Sequence, residues 1–129
     1  MRRATACIIG LCVLTTSLGM ANDTTGVDPV KAAPAHYKVI FENERVRVLS
    51  FHSSPGEKWP LHMHPDAVTV SLSDYKLRNV VPGNEPTVID RKMGDAYWIP
   101  ARSHTGENIG TTDMDSIIVE LKEPRKKES

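Results

Sequence analysis

Apolar and polar residues alternate along much of this chain, with the two-residue period of a half-buried β-strand. The clearest case is Arg45-Val46-Arg47-Val48-Leu49-Ser50-Phe51, which follows residues 37–41 across a short polar turn, Glu42-Asn43-Glu44. Further strands are predicted over residues 68–72, 75–81, 87–90, 96–99 and 116–121. Ser73-Asp74, Pro82-Gly83-Asn84 and Lys92-Met93-Gly94-Asp95 supply the turns between them. Beyond residue 21 no stretch sustains a 3.6-residue period and no internal repeat is evident. The pattern predicts about eight short strands in an all-β double-sheet sandwich or small barrel.

The first 21 residues differ from the rest. Met1-Arg2-Arg3 is a short basic start, residues 4–18 are apolar or small, and Gly19-Met20-Ala21 offers small residues before a cut. That order describes a signal peptide cleaved near Ala21, so the protein is expected in the periplasm or outside the cell. The apolar run is well short of the roughly 20 residues that span a bilayer, so no membrane span is expected in the mature form. Both cysteines, Cys7 and Cys12, fall in this segment, which leaves the mature chain without thiol or disulfide chemistry. Residues 22–36 read as a linker or N-terminal arm, 37–122 as the folded domain and 123–129 as a charged tail. Without Arg2 and Arg3 the balance is 14 basic to 16 acidic residues, and no basic stripe points to nucleic acid.

Three of the five histidines fall in two places: His62-Met63-His64, and His104 downstream. On a strand, residues i and i+2 share a face, so His62 and His64 can present two imidazoles to one side of a sheet. His104 from a neighbouring strand would complete a three-nitrogen metal site. On an uninterrupted strand the same parity would carry Val68, Val70 and Leu72 to that face and Thr69 and Ser71 to the other, with Pro65 as a potential break. A pair of histidines hydrogen-bonding an organic ligand without metal is the alternative.

At these residues the chain resembles the cupins. Gly56, five residues and His62-Met63-His64 follow the first cupin motif; Gly94, five residues, Pro100, then His104, three residues and Asn108 follow the second. The resemblance spans residues 39–121 and implies a cupin-type jelly roll. Two departures stand out. The first motif's Glu is missing, since Val68 and Thr69 occupy its place, and Arg102 replaces the second motif's Gly with His104 one residue early. The resemblance thus implies a three-His metal site without its customary carboxylate. Imidazole donors favour Fe, Ni, Cu or Zn over Mn, and three protein ligands leave positions open for water or substrate.

Around this centre, Asp66, Ser71 and Asn108 are candidate hydrogen-bond partners of the ligating rings. His52 is a candidate cavity residue or a surface one; His36, in the arm, is expected to be solvated. Trp59 and Trp98 flank the two motifs as core or ligand-stacking residues, and Arg102 is a candidate for a substrate carboxylate or, as is more common at a strand end, a surface residue. Two functions fit. One is a metal-dependent dioxygenase or isomerase acting on a small organic acid or carbonyl compound. The other is a non-catalytic metal- or small-molecule-binding module of the cell envelope. Cupins commonly pair through sheet edges, so the resemblance also implies a homodimer.

Overall fold

The structure, a computed structural model, describes residues 26–123. The expected signal peptide with its two cysteines, the expected cut near Ala21 and the expected tail from residue 124 lie outside the described residues. One helical turn, α1 (Pro29–Ala32), precedes nine strands: β1 (Tyr37–Glu42), β2 (Val46–Ser53), β3 (Lys58–His64), β4 (Ala67–Ser71), β5 (Tyr75–Val80), β6 (Thr87–Arg91), β7 (Ala96–Ile99), β8 (Arg102–Asn108) and β9 (Met114–Leu121). They form two antiparallel sheets in the orders β1-β2-β9-β4-β7 and β3-β8-β5-β6. Among the described residues no helix is long and apolar enough to cross a membrane.

The core lies between the sheets. Leu49, Ile118 and Thr69 stand side by side on β2, β9 and β4, and all are buried. Phe51 and Tyr37 pair one row away, and Trp59, Leu77 and Tyr75 close the core from the other sheet. Alternating burial along β5 and β9 is the pattern read from the sequence, here with one face on the core and one on solvent.

Two irregularities decide what faces inward. The β3–β8 register slips between Trp59 and His62, so one extra residue sits at Pro60-Leu61. Proline has no N–H to lose from the ladder, which suits it to a bulge. The extra residue brings Trp59 and His62 to the same side despite their odd spacing, and both are buried. The second irregularity is at Pro65-Asp66, where the chain leaves one sheet for the other. The inward parity therefore flips, which corrects the uninterrupted-strand expectation. Ala67, Thr69 and Ser71 are buried, Val68 and Val70 are half-buried, and Leu72 is exposed.

β8 was not among the predicted strands. Its sequence, Arg-Ser-His-Thr-Gly-Glu-Asn, has no apolar side chains to alternate, because its inward positions face a polar site. Gly56 and Gly94, which open the two motifs, both have left-handed backbones, with φ of 82° and 89°. Each makes the turn that launches β3 or β7, a conformation other residues rarely adopt.

Residues 26–33 lie along β3. Met63 N–H donates to Val27 O at 2.9 Å, and the Asp28 carboxylate caps α1 by accepting from Val30 N–H at 3.0 Å. His36 corrects its expectation. Its ring stacks on Phe51 with centroids 5.9 Å apart, and Nδ1 donates to His52 O at 2.9 Å.

Candidate metal centre

His62 and His104 are directly paired across β3 and β8, and His64 is paired with Arg102 on the same ladder. All three imidazoles therefore point into the space between the sheets, and all three are buried. One nitrogen from each lies within 4.8 Å of the others, and His62 Nε2 and His64 Nε2 are 3.0 Å apart. Two nitrogens bound to one ion at about 2.0–2.1 Å are separated by roughly 3.0–3.4 Å, so the His62–His64 spacing suits a shared metal.

The opposite nitrogen of each ring settles which atom is free. His62 Nδ1–H donates to Pro60 O at 2.8 Å, His64 Nδ1–H to Glu120 Oε1 at 2.7 Å, and His104 Nδ1–H to Asn79 Oδ1 at 2.6 Å. With Nδ1 donating in each ring, Nε2 is left as the acceptor nitrogen; that of His62 takes the Tyr37 hydroxyl and lies beside that of His64. His104 Nε2 is buried with no hydrogen-bond partner at all. Three converging lone pairs repel one another, and a cation among them removes the conflict. Burial holds the His62 pKa down to about 4, with the neighbouring His64 ring adding to the effect. Burial also pushes His104 well below the ordinary range, and the charges of His62, His64 and Arg102 act the same way. Neutral rings are the ligating form, so the donor set fits a divalent transition metal.

Solved structures place this arrangement. A cupin domain from Bordetella pertussis Tohama I superposes with a TM-score of 0.63 at 26% identity, over 67% of this chain and 92% of that one. The fold is that of a small cupin. A double-stranded β-helix protein from Klebsiella pneumoniae superposes with a TM-score of 0.53 at 21% identity, over 68% and 84% of the two chains. The polyketide cyclase RemF from Streptomyces resistomycificus gives 0.53 at 18% identity, over 70% and 66%. No protein-family profile and no curated protein matches the chain.

This cupin fold carries a carboxylate at its centre, although not where the motif would have it. Glu120, on β9, is 2% exposed and receives both His64 Nδ1–H and Arg47 Nε–H, each at 2.7 Å. Burial alone would raise its pKa, but those two bonds win and hold it below the usual range. Arg47 in turn reaches the Asp28 carboxylate at 2.6 Å. The missing motif Glu is thus answered by an acid that orients and polarises a ligand ring, a role different from ligation. Glu120 is the one polar residue in the run Ile117-Ile118-Val119-Glu120-Leu121 and shares parity with Ile118; that was its signal in the sequence. At the place where the motif puts its acid, Thr69 faces the cavity with Oγ1 buried and unpartnered.

Tyr37 completes the inner surface. Its hydroxyl lies 3.0 Å from His62 Nε2, and burial, reinforced by the Glu120 charge, raises its pKa well above the ordinary phenol value. It therefore acts as a neutral donor to that lone pair. Neither Tyr37 nor Asn79 carried a sequence signal, since each lies far from the motif segments.

The other candidates separate clearly. Arg102 and Trp59 line the cupin cavity. Asp66 does not touch the histidines: its carboxylate accepts Ala101 N–H at 2.7 Å and braces two loops. Asn108 is buried elsewhere, donating to Ser53 O and Thr112 O to pin the β8–β9 connection. Ser71 donates to the Tyr75 hydroxyl at 3.0 Å. Trp98 is half exposed on the outer face, which follows from the parity flip that turned its partner Val68 outward. His52 is at the surface, bonded to Asp115 at 2.7 Å.

Proposed function

We propose that this protein binds one divalent transition metal through His62, His64 and His104, and that it is an exported metal-dependent dioxygenase or isomerase of a small organic acid or carbonyl compound. The convergence of three Nε2 lone pairs, each fixed by an acceptor on the other ring nitrogen, carries this reading. Fe, Ni, Cu or Zn suits an all-imidazole set better than Mn. Such an ion supplies Lewis acidity and open coordination positions for substrate. The chain's own residues do the remainder. Glu120 holds His64 in its ligating tautomer, Asn79 does the same for His104, and Pro60 O for His62. The surrounding apolar wall of Leu77, Ile89, Ile99 and Ile118 keeps the chamber dry, which strengthens polar contacts inside it.

The test is metal analysis of the purified protein beside a His62→Ala, His64→Ala double variant. About one equivalent of metal in the first and none in the second is the expected result. A wild-type protein that holds none and takes up none would sink the reading. Metal retained without turnover of any small acid or carbonyl compound would favour a non-catalytic binding module, for which the departure from the four-ligand motif speaks. Export rests on the character of residues 1–21, and cell fractionation with N-terminal sequencing checks it. Pairing into a homodimer is supported by the outer strand β1, where Val39, Ile40 and Phe41 are exposed, and light scattering reads it directly.

A further inference from the structure

At the centre, the β3–β8 ladder sets two facing pairs inward: His62 with His104, and His64 with Arg102. Directly paired residues on antiparallel strands project to the same side. Arg102 is therefore an inward-facing cation next to three buried rings, and it lines the same cavity. Among the described residues it forms no ion pair. The nearby acid, Glu120, is already held by His64 and Arg47. The Arg102 Nε is shut off from solvent and has no hydrogen-bond partner. A buried donor without a partner is costly, and an anion entering the cavity would answer the Arg102 Nε–H.

Its chemistry names the anion. Nε–H and one Nη–H of a guanidinium form a planar two-donor fork that matches the two oxygens of a carboxylate. With Nε unpartnered, that fork is open. Thr69 Oγ1, also buried and unpartnered, offers a further hydroxyl in the same chamber. Beside the histidines and a few neutral polar groups such as Asn79 and Ser116, the lining is apolar, with Ile89, Ile99, Leu77 and Met114. The cavity volume is about 50 Å³, room for a ligand of about three to five non-hydrogen atoms.

We infer that Arg102 and Thr69 form a carboxylate subsite beside the three-His centre, and that the chamber takes a small monocarboxylate with a short uncharged tail. The inference rests on reading the cavity as the ligand chamber of the proposed function, and it narrows the substrate class of that reading. A dicarboxylate is excluded by size and by the absence of a second open cation among the described residues of the lining. An uncharged amide of the same shape leaves the guanidinium unanswered.

Isothermal titration with propionate and with propionamide tests the subsite, on chelator-treated and on zinc-loaded protein. Propionate should bind at least tenfold more tightly than propionamide. Arg102→Gln should weaken propionate at least tenfold while leaving the zinc stoichiometry unchanged. Equal affinity for acid and amide, no propionate binding, or an unaltered Arg102→Gln variant would each overturn the subsite. Should Arg102→Gln fail to fold by circular dichroism, Arg102→Lys keeps the charge and loses the fork; a severalfold loss is expected, and unchanged affinity refutes. Arg102-dependent propionate binding by a protein that takes up no zinc would sustain the subsite and remove the metal reading. Zinc binding with no Arg102 dependence would do the reverse.

Discussion

His64 Nδ1 and Glu120 Oε1 meet at 2.7 Å across the two sheets, although 56 residues separate them in the chain. The bond joins the motif's second histidine to an acid on the last strand and, through Arg47, to Asp28 in the N-terminal arm. The centre is therefore held by the whole sandwich rather than by the His-x-His segment.

Glu120→Gln should weaken metal binding by about 10–100-fold, the usual effect of losing an acid behind a ligating imidazole. The amide keeps the shape but no longer polarises the ring, and Arg47 loses a charged partner. Competition against a chromophoric chelator measures the change. An affinity within twofold of wild type would show that Glu120 serves packing alone.

Tyr37→Phe should act in the opposite direction. The phenol donates to His62 Nε2 in the metal-free protein, so metal must displace that bond. Removing a hydrogen bond worth about 1 kcal/mol should tighten metal binding severalfold and lower the stability of the metal-free form. Weaker metal binding instead would make the phenol a participant in the loaded site.

The metal-free protein should lose stability on mild acidification. The unfolded chain takes protons on its histidines near pH 6.5, whereas folded His62 resists to about 4 and His104 is likewise held well below its ordinary value. Below pH 6.5 the unfolded state therefore binds more protons. The stabilising contribution is complete above about 6.5 and falls as pH drops toward 4. For His62 this amounts to about 3 kcal/mol. Glu120, whose pKa is lowered, adds further loss at lower pH, while exposed His52, raised by Asp115, opposes weakly. Urea midpoints at pH 7.5, 5.5 and 4.5 read it; a flat profile would contradict the neutral, buried state of the rings.

Gly106→Ala should destabilise the fold by about 1–3 kcal/mol through overpacking. Gly106 is paired with Trp59, and a Cβ there would run into the buried indole ring. The shift of the urea midpoint measures it, and an unchanged midpoint would mean that Trp59 has room to move.

Much of the architecture was legible because alternation reports one buried face. β1, β2, β5, β6 and β9 each carry it or lie next to a turn signal, and the motif glycines Gly56 and Gly94 mark their turns. The reading failed where the face itself is polar or switches. β8 has no apolar side chain to show, and parity beyond His64 inverts because Pro65-Asp66 carries the chain between sheets. Trp98, Asp66 and Asn108 were drawn toward the centre by closeness in sequence, and all three lie elsewhere.

By itself the sequence determined an all-β cupin fold and the three histidines that meet in it, because strand periodicity and motif spacing are local properties; the inward place of Arg102 came only with its pairing to His64. Tertiary structure decided the partners. Glu120, Asn79 and Tyr37 reach the histidines from strands distant in the chain, and only the closing of two sheets over one cavity brings them within hydrogen-bond range. Which lone pairs face inward, and which cation is left without an anion, follow from that closure.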